Sequence, residues 1–146
     1  MEKENSIMPL FYKITLFFLT LSGFGQMPIF KRYYIADIPG LGWLANFHIT
    51  HLMHYIFAGI FISLVVYSSL DFIIFRIDSA RITKIIIIKI IIYLGLIITG
   101  ILMIIKNFSG TPFSPNFIIL LALSHFLFCI LLLFFLGYHL TKKFKT

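Results

Sequence analysis

Acidic residues are scarce in this chain of 146: five Asp and Glu stand against twelve Lys and Arg, and charged residues of both signs make up 12%. A soluble domain carries about 25% charge, so a water-soluble globular fold is excluded. There is one cysteine, Cys129, inside an apolar run. It can close no disulfide within the chain and says nothing about redox compartment. The first five residues, Met1-Glu2-Lys3-Glu4-Asn5, lack the basic start of a signal peptide and no small-residue cleavage site follows, so no cleaved leader is expected. What remains is apolar: 60% of residues are hydrophobic, mean hydropathy is +1.04, and the excess is Ile, Leu and Phe. The net charge of +7 is then a topology signal rather than a nucleic-acid footprint, because no basic surface domain exists to carry one. Little is left over for a soluble catalytic domain, so any chemistry belongs inside the bilayer or at its faces.

Four apolar stretches predict four membrane-spanning helices in a single transmembrane domain covering residues 1–146, an all-α polytopic four-helix bundle. They run from about Pro9 to Phe30, Asn46 to Leu70, Thr83 to Ile105 and Asn116 to Leu140. Each is long enough to cross ~30 Å of hydrocarbon at 1.5 Å per residue. The joints carry turn and charge signals: Pro39, Gly40, Gly42 and Trp43 in the first, Asp71, Arg76, Asp78 and Arg81 in the second, Gly110, Pro112 and Pro115 in the third. One face of the bundle and its helix ends collect Lys3, Lys13, Arg76, Arg81, Lys84, Lys89, Lys142, Lys143 and Lys145. The other holds Lys31, Arg32 and Lys106. Cytoplasmic loops gather Lys and Arg, so both termini are expected inside the cell.

A weak internal repeat runs through the chain. Ser22-Gly23 with Met27 in the first stretch is echoed by Thr99-Gly100 with Met103 in the third, and each is followed by a helix bearing His in its outer half. The five histidines, His48, His51, His54, His125 and His139, all lie in or beside the second and fourth stretches. Ionisable groups inside a membrane are costly and usually face a site, although a lone intramembrane His is more often an interhelical hydrogen-bonding group. His54 and His125 sit eight and nine residues into their spans, ~12–14 Å below the outer edge. Two imidazoles at one depth on different helices can clamp a haem between helices 2 and 4. Zinc would need further ligands that no Asp, Glu or second Cys supplies at that depth. His125 and His139 are 14 residues apart, nearly four turns, so both face one way about 21 Å apart, a spacing that suits two stacked haems. Gly23, Gly100, Ala58 and Gly59 would let a porphyrin edge approach the backbone, or serve close helix packing. Lys31 and Arg32 would neutralise haem propionates, or are simply solvated loop charges.

These residues resemble the cytochrome b (gamma) subunits of respiratory formate dehydrogenases and nickel–iron hydrogenases, in the di-haem cytochrome b superfamily. The resemblance covers span order over most of the chain. Its specific matches are Leu21-Ser22-Gly23, His54 followed by Gly59, Thr99-Gly100, and His125 with His139. It implies haem b ligated by His54 and His125 on the outer side, with His51 the alternative ligand, since the spacing from His54 to Gly59 is one residue longer than the family's. The family's inner haem takes a ligand from the start of the first span, where this chain has Pro9 flanked by Met8 and Leu10. His139 therefore pairs with Met8, or with a ligand from another subunit, or instead lines a quinone pocket with Tyr12, Lys13 and Tyr138. The implied protein is a multi-pass anchor in a prokaryotic cytoplasmic (inner) membrane. It would carry electrons between an iron–sulfur or multihaem cytochrome subunit at the outer face and the quinone pool, in contact with lipid and with no nucleic-acid partner. Two rival readings are a His-lined transporter or proton or metal path, which would want intramembrane carboxylates, and a structural membrane subunit without a cofactor.

Overall fold

The structure, a computed structural model, describes residues 7–27, 37–75, 83–108, 110 and 113–143, the last five without their side chains. It is all-α, with no strand among the described residues. The four long helices are α1 (Ile7–Gly25), α2 (Phe47–Phe75), α3 (Lys84–Ile105) and α4 (Pro115–Lys143), with a 3-10 turn at Gly42–Ala45 before α2. All four are long and apolar enough to cross a membrane. The chain is a multi-pass membrane protein whose exposed Ile, Leu and Phe side chains, such as Ile7, Phe17, Ile74 and Phe134, face lipid without cost.

The chain divides into two compact units, residues 1–77 and 78–146. In the first, α1 packs on α2; in the second, α3 packs on α4. Each is an antiparallel hairpin. In the first, contacts step from Gly25 on Thr50 through Phe18 on Phe57 to Tyr12 on Phe61. In the second they step from Thr99 on His125 through Gly95 on Phe128 to Lys89 over Phe135. Hairpins of this kind are the halves from which four-helix bundles are built.

Local signals explain where the helices start. Asn46 caps α2: its side-chain oxygen accepts the His48 and Ile49 amides at 3.1 and 3.3 Å. Ser114 caps α4 by accepting the Phe117 amide at 3.3 Å, with Pro115 in the first helical position where its missing N–H does no harm. Before α2, Ile38-Pro39-Gly40-Leu41 makes a tight turn closed by Leu41 N–H to the Ile38 carbonyl at 2.9 Å. Gly40 sits there at φ 89°, as the third position of a type II turn requires.

Two helix ends differ from the sequence expectation. The helix of the first stretch ends at Gly25 rather than continuing to Phe30, because Gln26 and Met27 turn back on the carbonyls of Gly23 and Phe24, just ahead of Pro28. α2 runs on to Phe75 through Asp71, which was expected in a joint. Nothing in Asp71-Phe72-Ile73-Ile74-Phe75 breaks a helix, and one carboxylate near a helix end can reach the interface.

Both hairpins close on small polar residues. The buried polar side chains are Thr15, Ser22, Thr50 and Thr99. Each returns its hydroxyl to a carbonyl of its own helix three or four residues back, and no buried polar side-chain atom among the described residues lacks a partner. In lipid the helices gain nothing from hiding leucine, so close approach through small residues and satisfied hydroxyls supplies the packing.

Candidate functional site

The polar residues of the two hairpins converge on one small motif, built twice. In the first hairpin, His54 of α2 reaches across to α1. Its Nδ1 lies 3.2 Å from the Leu19 carbonyl oxygen and 3.3 Å from Ser22 Oγ. A carbonyl only accepts, so Nδ1 carries the proton. The Ser22 hydroxyl gives its own hydrogen to the Phe18 carbonyl at 2.7 Å, which leaves its lone pairs towards the imidazole. Gly23 lies against the ring: a Cβ there would stand 3.1 Å from His54 Cε1.

In the second hairpin, His125 of α4 meets α3 in the same way. Its Nδ1 lies 2.8 Å from Thr99 Oγ1, and that hydroxyl donates to the Gly95 carbonyl at 2.6 Å. One hydroxyl has one hydrogen, so His125 Nδ1 is again the donor. Gly100 flanks this ring, with a Cβ placed 3.5 Å from His125 Cε1. In both hairpins Nδ1 is the ring nitrogen engaged with the neighbouring helix, and Nε2 is the nitrogen turned away from the hydroxyl. An imidazole held through Nδ1–H is the arrangement in which histidines ligate metals.

The repeat expected from the sequence is therefore present in the geometry, and it extends further than the Ser/Thr-Gly pairs. Residues 77 positions apart on the outward helices are equivalent: Thr15 with Ile92 and Ser22 with Thr99, all buried. On the returning helices the step is 71: Thr50 with Leu121 and Phe61 with Leu132, again all buried. Phe57 stacks on Phe18 at 4.8 Å. Its counterpart Phe128 covers Gly95, which stands where Phe18 does in the first hairpin.

His51 has no such twin. Its Nδ1 donates to Gln26 Oε1 at 3.0 Å, and Gln26 Nε2 donates to the Ser22 carbonyl at 3.3 Å. The ring lies between Phe47 and Tyr55, at centroid distances of 4.8 and 4.3 Å. The equivalent positions in the second hairpin are Met103 and Ala122. His48 is exposed beside its cap.

The other expected site residues are placed as follows. A Cβ at Gly59 would meet nothing within 4 Å, and Ala58 is half-buried, so in the first hairpin only Gly23 abuts an imidazole. Met8 and Lys13 are exposed on α1, while the Tyr12 ring packs 5.9 Å from Phe61. Tyr138 shares a shallow apolar groove on α4 with Ile130, Leu133, Phe134 and Gly137. His139 continues α4, but its side chain lies outside the described residues, as do Lys31 and Arg32. Among the described residues no three His, Cys, Asp or Glu side chains cluster as a metal cage. Sequence reasoning missed Gln26 as a partner of His51, and named Ser22 and Thr99 only as repeat markers. Their position one residue before the paired glycines was the available signal.

Comparison of the chain with protein-family models, curated proteins and solved structures finds no match.

Proposed function

We propose that the protein is a membrane-anchor b-type cytochrome subunit, in which His54 and His125 ligate one haem iron and electrons pass between a partner redox subunit and the quinone pool. The observation that carries this reading is the duplicated unit of histidine, hydroxyl and glycine. Each hairpin supplies one imidazole engaged through Nδ1, which leaves Nε2 as the nitrogen that would ligate iron. Each also supplies a glycine beside that ring, packed closest at Gly23. The donor set fits haem: two neutral nitrogens from separate helices in an apolar setting are what a bis-His b haem requires. Bound there, haem supplies reversible one-electron chemistry. The chain's part is to hold the ligands, exclude water and keep charge away from the iron. His51, one turn outward from His54, is the alternative ligand.

The remaining assignments follow from the family resemblance. The partner is an iron–sulfur or multihaem cytochrome subunit docked on the outer face, near the loop before α2. The membrane is a prokaryotic cytoplasmic one. A second haem at His139, or a quinone pocket there, belongs to the same proposal. Purification in detergent followed by a pyridine haemochrome assay tests it directly. Haem at one or two per chain is expected, with a reduced b-type absorption band that loses one haem's contribution in His54→Ala and in His125→Ala. A protein purified without haem that takes up none on titration would refute the reading.

A further inference from the structure

The duplicated motif contains its own second layer, and the two copies are not equally strong. In the second hairpin the imidazole Nδ1 lies at the short distance of 2.8 Å from the side-chain hydroxyl of Thr99. In the first, Nδ1–H is shared between Ser22 Oγ at 3.3 Å and the Leu19 carbonyl at 3.2 Å. A backbone carbonyl cannot be removed by mutation, so His54 keeps an acceptor whatever stands at position 22. Thr99 itself is held by the Gly95 carbonyl at 2.6 Å, which aims its lone pair at His125 rather than leaving the hydroxyl to rotate. Both hydroxyls belong to buried residues, Ser22 completely so.

We infer that Ser22 and Thr99 are positioning residues for the ligand histidines: each fixes the Nδ1–H tautomer of its imidazole and so presents Nε2 to iron, and Thr99 is the more important of the two. The loaded arm of this inference rests on the haem proposal; the tautomer arm does not. A hydrogen bond from the far nitrogen fixes ring orientation and raises ligand basicity, and losing such a partner commonly lowers metal affinity by about 10–100-fold. Applied here, Thr99→Val removes the acceptor at nearly constant volume and weakens haem binding by about 10–100-fold. Ser22→Ala leaves the Leu19 carbonyl in place and weakens it by less than about tenfold. Thr99→Ser keeps the hydroxyl and restores the parent behaviour.

The test has two readouts on the full chain in detergent. The first is 15N NMR of the histidine ring nitrogens in haem-free protein. The parent is expected to show protonated Nδ1 and bare Nε2 at His54 and His125. Thr99→Val should redistribute the proton at His125 only, and Thr99→Ser should return it. The second is haem titration of the same variants, with the midpoint potential of any bound haem shifting upward in Thr99→Val as the ligand loses basicity. An unchanged His125 tautomer in Thr99→Val overturns the inference, as does equal weakening by Ser22→Ala and Thr99→Val. A parent protein that shows the Nδ1–H tautomers but binds no haem leaves the tautomer arm standing and removes the haem proposal instead.

Discussion

Gly23 and Gly100 occupy equivalent positions but leave different clearances, so one substitution made at both sites should separate packing from helix propensity. A Cβ at position 23 would stand 3.1 Å from His54 Cε1 and 3.4 Å from Nδ1. Carbon atoms rest at about 3.5–4.0 Å, so in Gly23→Ala the imidazole must retreat by about 0.4 Å or more. Its Nδ1 contacts, already at 3.2 and 3.3 Å, then stretch to about 3.6 Å, where they cease to be hydrogen bonds. The lost bond costs about 0.5–1.5 kcal/mol. Alanine regains about 0.8–1 kcal/mol over glycine inside a helix. The two offset, so unfolding in mixed micelles, followed by helical circular dichroism, should shift by less than about 1 kcal/mol. Haem affinity should nonetheless fall by about tenfold, because the ligand ring has moved off its anchor. At position 100 the same Cβ would sit 3.5 Å from His125 Cε1, an ordinary contact. Gly100→Ala should therefore keep the Thr99 bond, bind haem like the parent and unfold no more easily. Equal loss of haem in the two variants, or a Gly100→Ala protein weaker than Gly23→Ala, would refute the clearance argument.

Other substitutions probe the frame around the motif. Gly95→Ala would put a Cβ within 2.5–2.7 Å of three Phe128 ring atoms; an overpacking cost of about 1–3 kcal/mol is expected, and Phe128→Leu in the same chain should recover most of it in a double-mutant cycle. Asn46→Ala removes the α2 cap and should cost about 1 kcal/mol, read as faster hydrogen exchange at the His48 and Ile49 amides. Gly40→Ala meets no neighbour but forces a side chain to φ 89°, and should lower the unfolding free energy by about 1–2 kcal/mol.

Much of the architecture was legible because lipid simplifies the code. A run of twenty apolar residues has few ways to satisfy its backbone other than as a spanning helix, and the third stretch is reproduced almost to the residue, as Lys84–Ile105. The ends were harder where chemistry and composition disagree. Asp71 reads as a loop residue by charge, yet the apolar residues after it carry α2 to Phe75. The Ser22-Gly23 and Thr99-Gly100 pairs marked the repeat. That their hydroxyls meet His54 and His125 depends on how each helix is rotated against its partner, which an apolar sequence without a sharp amphipathic stripe does not encode. The Gln26–His51 bond was hidden for the same reason: its residues stand 25 positions apart, on either side of a loop whose path the sequence does not dictate.

The step between equivalent positions, 77 residues on the outward helices and 71 on the returning ones, lets the chain be read as two versions of one hairpin. Where the versions differ, the buried position accepts either residue: threonine at 15 and isoleucine at 92, threonine at 50 and leucine at 121, phenylalanine at 61 and leucine at 132. Where they agree, the shared residues are those of the motif and its ring cover: hydroxyl at 22 and 99, glycine at 23 and 100, histidine at 54 and 125, phenylalanine at 57 and 128. A library randomised at the first set should yield many folded proteins, and one randomised at the second should return close to the parental residues.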